Sequence, residues 1–410
     1  MRRLRSPWRT LIATIRLSEY TPSLVDLLPD DAEYIDQTLK KRVDIWRDVG
    51  EEMHRLNPNQ WVGVVVLPSG RRLESYPKVP VRNLFYMLAV AYKIDPFLVE
   101  TAAMDRLDEL FEFVARYFTD LVEQRLERGL YRSYVEIDEN LPTVRGRIAF
   151  AEDIRRNYVL RHRTYCRYSD FTWDIPENQV IRQVAHLLSG WGFRRDLRLR
   201  LARIDAVMAE VTPTHMPGSA IASFRYNRQN DEYRPLHQLC RLFLEGASLS
   251  EDEGAFDFRT FLVDMNKLFE QFITQVLVDR AHGSAVVAPQ ASLYLGHDKK
   301  VFMRPDILIS AGGAVTLAAD CKYKRIKEEE YKNHDIYQVH AYCTAASVRK
   351  GLLIYPQHVS NVNDEVRVRY AEVSIRQKSI DLGKSHRELV GECDSLARFV
   401  FNWAAEAASS

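Results

Sequence analysis

Two short runs in the last third of the chain bring chemically capable residues together: Arg304-Pro305-Asp306 and Asp320-Cys321-Lys322. Between them, Ser310-Ala311-Gly312-Gly313 reads as a turn joining strands Val301–Ile309 and Ala314–Cys321. On that antiparallel pair Asp306 and Asp320 fall almost opposite each other. Asp320 and Lys322 are two apart and project to the same face. Two carboxylates that close form a hard, oxygen-rich site suited to Mg²⁺, with Mn²⁺ as the alternative. Such an ion polarises a phosphodiester and lowers the pKa of its bound water. The lysine would orient or help deprotonate that water, or neutralise a developing negative charge. The bare pattern is weak, and the chain holds decoys for it in Pro29-Asp30 and Glu330-Tyr331-Lys332. Placement argues for the first reading, because charges on apolar strands are costly unless paired or metal-bound.

Flanking residues add to the set. Glu270 lies on the helix leading into the sheet, where it either gives the metal a third carboxylate or sits on the exposed side of that helix. Gln338 and Tyr342 are four apart and share a face of the next helix. They would contact a nucleic-acid backbone, buttress the lysine, or serve as ordinary packing residues. His340 reads as structural. Gly383-Lys384-Ser385 resembles the end of a phosphate-binding loop, but Lys378 stands where its first glycine belongs, so nucleotide hydrolysis by this chain is not expected.

The elements that must position these residues form a compact α/β unit. Phe258–Arg280 reads as a helix, followed by strands Ala285–Leu293, Val301–Ile309 and Ala314–Cys321. Lys322–Lys332 is charged and irregular. Helix His334–Ala346, strands Gly351–Tyr355 and Val366–Ile375, and helix His386–Ala408 complete the order α-β-β-β-α-β-β-α. Upstream, Leu11–Ser18, Gln60–Leu67 and Arg71–Tyr76 read as strands and Asp31–Leu56 as helical. Helices are expected from Val81 and over Leu107–Arg128, then a hairpin from Leu130–Ile137 and Leu141–Ile148. The expected organisation is a β-rich region 1–80, a mainly helical region 81–253 with a short hairpin, and an α/β domain 254–410. The last boundary falls at the acidic Glu251-Asp252-Glu253-Gly254.

Composition narrows the function. With 410 residues, more than one core is expected. Lys and Arg number 57 against 56 Asp and Glu, a net charge of +1 that is too small for a chain gripping nucleic acid tightly by itself. Arginines crowd Arg145–Arg203; they read either as solvated faces paired with acids or as a phosphate-binding surface. No apolar run approaches the roughly 20 residues that span a bilayer. Five scattered cysteines suggest neither disulfides nor a zinc site. The expectation is a cytoplasmic protein without a secretory leader.

Together, Arg304-Pro305-Asp306, Asp320-Cys321-Lys322 and Gln338–Tyr342 resemble the PD-(D/E)xK nuclease superfamily, including its RecB-like branch. Gly63–Tyr92, Arg145-Gly146-Arg147-Ile148, Glu177-Asn178 and Phe261–Glu270 narrow the resemblance to McrC-type subunits of McrBC modification-dependent restriction systems. It covers most of the chain from about residue 60. The resemblance implies an endonuclease subunit that docks through its N-terminal part on a McrB-like AAA+ GTPase hexamer, stimulates it, and cuts double-stranded DNA bearing modified cytosine. It makes Asp306, Asp320 and Lys322 the metal and catalytic residues. Two other readings stand beside it: a non-catalytic adaptor of an NTPase, and a stand-alone RecB-like repair nuclease.

Overall fold

The computed structural model describes residues 14–94, 106–159, 162–247, 260–283, 285–323, 330–357 and 363–406. The Glu251–Gly254 boundary and the basic start Met1–Arg5 lie outside them, as do the side chains of the Glu330–Lys332 decoy. The architecture is mixed α/β, and the chain gathers into two compact units. One is residues 1–111 together with 259–410; the other is residues 112–258.

That division differs from the three consecutive regions expected from sequence. Residues 1–80 and the chain from Thr260 onward share a unit because their strands share a sheet. Thr14–Ser18, Arg72–Tyr76, Trp61–Val66 and Thr260–Asp264 lie side by side in that order, and Thr260–Asp264 pairs antiparallel with Trp61–Val66. The segment read as the start of a helix at Phe258 is thus a strand from Thr260. Its Phe-Leu-Val run is buried, and Asp264 then caps helix Met265–Arg280 by accepting from the Asn266 amide at 2.9 Å. At the centre of this pairing Gly63 has φ +147°, and a Cβ there would meet the Phe261 carbonyl oxygen at 2.1 Å.

The other main sheet of this unit holds six strands. Their order is Val286–Pro289, Ile307–Ala311, Ala314–Cys321, Lys350–Pro356, Val373–Ile380, Asn363–Val368. Ala314–Cys321, Lys350–Pro356 and Val373–Ile380 run parallel. Ala318, Leu353, Tyr355 and Ile375 form one buried cluster with Val339, Tyr342 and Cys343 of helix Glu330–Ala346. Helices Met265–Arg280 and His386–Glu406 pack on each other and also touch the sheet. Three single strands of the sequence reading are each interrupted, Ala285–Leu293 among them, which splits into Val286–Pro289 and Leu293–Tyr294. Val366–Ile375 is a hairpin, turned by Tyr370 and Glu372 at positive φ. Val301–Ile309 breaks after Met303, with Phe302–Met303 pairing instead with Leu293–Tyr294. Asp31–Leu56 is helical only to Thr38; Asp44–Trp46 and His54–Asn57 then form a small sheet with Ser23–Val25. Buried Asn83, on helix Val81–Ala91, donates to the Leu382 and Lys384 carbonyls at 2.8 and 2.7 Å. The glycine-lysine-serine run beside it leads into helix His386–Glu406: the Ser385 amide and hydroxyl both donate to Glu388 Oε2, at 3.1 and 2.6 Å.

The second unit contains helices Pro176–Ser189, Arg195–Val207 and Arg234–Ala247, and a three-stranded sheet. Ser133–Leu141 pairs with Thr164–Thr172, not with Leu141–Ile148; of the latter only Arg147–Ile148 is a strand, on the other side of Thr164–Thr172. Several arginines of this region meet carboxylates: Arg145 with Asp170, Arg155 and Arg156 with Glu152, Arg167 with Asp138, Arg182 with Asp205, and Arg200 with Asp120 and Glu123. Buried Asn178 donates to the Tyr131 and Trp173 carbonyls and accepts from Tyr233 Oη. His237, fully buried, lies between Tyr226 Oη at 2.9 Å from Nδ1 and the Glu177 carbonyl at 3.0 Å from Nε2. A carbonyl only accepts, so Nε2 carries the proton and Nδ1 accepts from the phenol. Among the described residues no helix is long and apolar enough to cross a membrane.

Two outcomes follow from these contacts. Gly63→Ala should cost more than about 2 kcal/mol, since the methyl group meets backbone and not a movable side chain; urea unfolding at wild-type stability would contradict this. Burial lowers the His237 pKa to about 4. The unfolded imidazole takes its proton near 6.5. Between these values only the unfolded chain is protonated, so stability falls as pH drops through that window, by up to about 3 kcal/mol. Denaturant titrations of the His237→Gln variant should lack this step.

Candidate active site

The hairpin Ile307–Ala311 and Ala314–Cys321 sets the geometry. Ile307 pairs with Ala319, so continuing the register by one residue puts Asp306 across from Asp320. The Cys321 amide donates to Asp306 Oδ2 at 2.7 Å, fastening the first carboxylate to the second strand. The Lys322 amide donates to the Ile354 carbonyl at 2.9 Å and carries the ladder past the strand's end. Asp320 and Lys322 share the face of Ala318, beneath helix Glu330–Ala346.

Three of the expected residues therefore stand together. Lys322 Nζ lies 2.6 Å from Asp320 Oδ2. The same ammonium donates to Gln338 Oε1 at 2.9 Å, and Gln338 Nε2 donates to Tyr342 Oη at 2.6 Å. Of the roles open to Gln338, the one seen is buttress: its amide is oriented by the phenol and holds the lysine. Glu270 faces the site but accepts a hydrogen bond from Gln290 Nε2. Among the described residues, no three His, Cys, Asp or Glu side chains stand gathered as a ready-made metal cage.

The electrostatics are those of negative charge held under strain. Burial, then the charges of Asp320 and Glu270, push the Asp306 pKa up to about 8. Burial likewise raises Asp320, against the opposing pull of Lys322. Burial raises Glu270 as well, with a further upward push from Asp320. For Lys322 burial works against the charged form, but the charge and hydrogen bond of Asp320, with the charges of Asp335 and Asp306, together outweigh it and the pKa rises. The lysine is a fixed cation, and the aspartate pair holds on to a proton that two separate carboxyls would release. Asp320 Oδ2 is buried and has no well-directed hydrogen bond, although the ammonium is close. A divalent cation would fit this donor set: two hard, buried carboxylates close enough that burial and charge raise their proton affinity.

Two further residues stand at the site that the sequence pattern does not single out. Gln290, at φ +46°, donates its amide to the Asp306 carbonyl at 2.8 Å, and its carbonyl accepts from Arg304 Nε at 3.2 Å. It falls in a break between strands that reads as continuous sequence. Asp335 is buried and accepts from Tyr355 Oη at 3.2 Å, and its charge contributes to the rise of the Lys322 pKa. Its one sequence signal is helical spacing with Gln338 and Tyr342.

Fold and site together define a mixed α/β protein with a carboxylate–carboxylate–lysine centre on a sheet. A family model for the McrBC 5-methylcytosine restriction system component matches residues 56–356. The chain belongs to that family. It is 21% identical over 347 residues to the Escherichia coli (strain K12) type IV methyl-directed restriction enzyme EcoKMcrBC, covering 77% of this chain and 97% of that protein. A refined half-complex from the tetradecameric assembly of Thermococcus gammatolerans McrB AAA+ hexamers with bound McrC shares the fold. The match has TM-score 0.57 and 18% identity, over 94% of this chain and all of that one.

The strain in the aspartate pair is testable apart from activity. An unfolded Asp306 releases its proton near 3.9, the folded one near 8. Between these values the folded state holds the extra proton, so stability falls as pH rises through the window and then levels. In chelator, Asp306→Asn should therefore melt higher than wild type at pH 8 by at least about 1 kcal/mol, with the gap closing toward pH 4. A variant melting lower at pH 8 would refute the repulsion.

Proposed function

We propose that this chain is the Mg²⁺-dependent endonuclease subunit of a modification-dependent restriction complex, with residues 254–410 supplying a PD-(D/E)xK nuclease fold. The observation that carries this reading is the convergence of Asp306, Asp320 and Lys322, backed by Gln338, on one face of a mostly apolar sheet. Asp306 and Asp320 would hold the ion, with Glu270 beside them. When bound, Mg²⁺ (or Mn²⁺) supplies Lewis-acid polarisation of a phosphodiester and a water of lowered pKa. The chain's own residues do the rest. Lys322, kept protonated by Asp320, neutralises charge developing on the phosphate and is a poor general base at neutral pH. Gln338 and Tyr342 fix where its ammonium points.

Partner dependence belongs to the same reading. The EcoKMcrBC relative is a methyl-directed restriction enzyme, and the Thermococcus assembly holds McrC on McrB AAA+ hexamers. By analogy, this chain docks on and stimulates a McrB-like AAA+ GTPase hexamer in the cytoplasm. Residues 1–80 make that contact, and cleavage falls on double-stranded DNA with modified cytosine. The arginines that meet carboxylates in the second unit, with a net charge of +1, leave the chain little grip on DNA of its own. The intact set of ionisable groups speaks against a purely non-catalytic adaptor.

With motor, nucleotide, Mg²⁺ and methylated duplex, Asp306→Asn, Asp320→Asn and Lys322→Ala should each reduce cleavage by about 100-fold or more. The subunit alone at about 0.15 M salt should cut far more slowly than the complete mixture. Gel-based cleavage assays check both. Equal rates with and without the motor would favour the stand-alone nuclease, and full activity of Lys322→Ala would remove the assigned centre.

A further inference from the structure

The residue after the lysine, Tyr323, is held by a part of the chain some 300 positions away. Its hydroxyl donates to Glu19 Oε1 at 2.9 Å, and its carbonyl accepts from Tyr20 Oη at 3.0 Å. Glu19 and Tyr323 are both essentially buried, at 0% and 2% exposure. The two gripping residues follow directly on strand Thr14–Ser18, and their own backbone is pinned. The Glu19 amide donates to the Tyr76 carbonyl at 3.0 Å and the Tyr20 amide to the Asn59 carbonyl at 2.8 Å. The Lys78 amide donates to Glu19 Oε1 at 2.6 Å, fixing the carboxylate that receives the phenol. Tyr20 sits at φ +54°, a left-handed conformation that a tyrosine adopts only when its surroundings impose it.

We infer that Glu19 and Tyr20 act as a clamp on Tyr323 that sets the position of the Lys322 ammonium, making the N-terminal sheet a positioning element of the nuclease centre. The inference rests on the nuclease reading above and extends it to residues no motif contains. Lys322 makes the last ladder bond of its strand, to the Ile354 carbonyl. Beyond it, Tyr323 is fixed by the clamp on the far side and by the Phe269 ring, at 5.7 Å between centroids. Phe269 precedes Glu270 in helix Met265–Arg280, so the clamped tyrosine abuts both flanks of the carboxylate–lysine cluster. A tyrosine burying its hydroxyl on a carboxylate costs desolvation at both groups, which a purely apolar contact would avoid. What the bonds add is direction: two polar anchors fix ring and backbone together. Misplacing a reactive group by about 1 Å can cost about 100-fold in rate.

The test uses the full chain with its motor, nucleotide, Mg²⁺ and methylated duplex, in single-turnover cleavage. DNA binding is measured separately with Ca²⁺ in place of Mg²⁺, and thermal melting is followed for every variant. Tyr323→Phe and Tyr20→Phe each delete one hydroxyl and keep the ring. Each should lower the maximal cleavage rate by about tenfold while DNA affinity and the half-saturating DNA concentration stay within about twofold. Glu19→Gln keeps an oxygen to accept from Tyr323 and should retain most of the rate, whereas Glu19→Ala should not. Wild-type rates in both phenylalanine variants would overturn the clamp, provided Asp306→Asn is inactive. Rate losses that track lost affinity or lowered melting, with Glu19→Gln no better than Glu19→Ala, would also overturn it and leave a purely structural tie. Cleavage that persists in Asp306→Asn would overturn the nuclease reading, and the clamp with it.

Discussion

Two carboxylates and one ammonium are drawn onto a hairpin whose other residues are mostly Ile, Leu, Val and Ala, and much of the surrounding structure answers that cost. Burial raises the proton affinity of both Asp306 and Asp320, the charge of Asp320 raises that of Asp306 further, and Lys322 offsets only part of this. Charged groups in such a place persist when each is met by a directed partner. Here the partners come from every side. The Cys321 amide takes Asp306, Gln338 takes the lysine, Tyr342 takes Gln338, and Gln290 links the Asp306 backbone to Glu270. Asp335 and Tyr355 add a second buried acid beneath the lysine. The result is a preorganised site resting on a buried apolar cluster.

The sheet under this site belongs to a unit made from both ends of the chain. Thr260–Asp264 completes a sheet begun by Thr14–Ser18, and Asn83 ties the helix after that sheet to the loop before the last helix. Tyr323 is held from Glu19 and Tyr20. Residues 112–258 form their own unit between these two parts of the sequence. A docking event felt by the N-terminal strands therefore has a short covalent and hydrogen-bonded route to the lysine. This route links the proposed partner contact to the proposed chemistry without any intervening module.

Charge balance gives the same economy. The arginines between 145 and 203 look like a phosphate-binding surface when counted. In three dimensions Arg167 is spent on Asp138, Arg145 on Asp170, and Arg200 on Asp120 and Glu123. Exposed pairs of this kind add little stability, but they cancel the field that would attract DNA. On the function proposed above, a chain so balanced would depend on delivery of its substrate by something else.

The sequence by itself determined the pair Asp306 and Asp320, the lysine two residues on, and the Gln338–Tyr342 face. These depend on short-range spacing: a turn at paired glycines, period 2 on a strand, period 3.6 on a helix. It also determined the mixed α/β class and the family. What only the tertiary structure decided was long-range pairing. Thr260–Asp264 is a strand because Gly63 lets another strand approach, a fact stored some 200 residues away. Gln290 enters the site because a strand breaks there, and Glu19 because two ends of the chain meet at Tyr323. Local pattern carries no record of such partners, since backbone hydrogen bonds between distant strands are chosen by burial and shape and not by the residues next door.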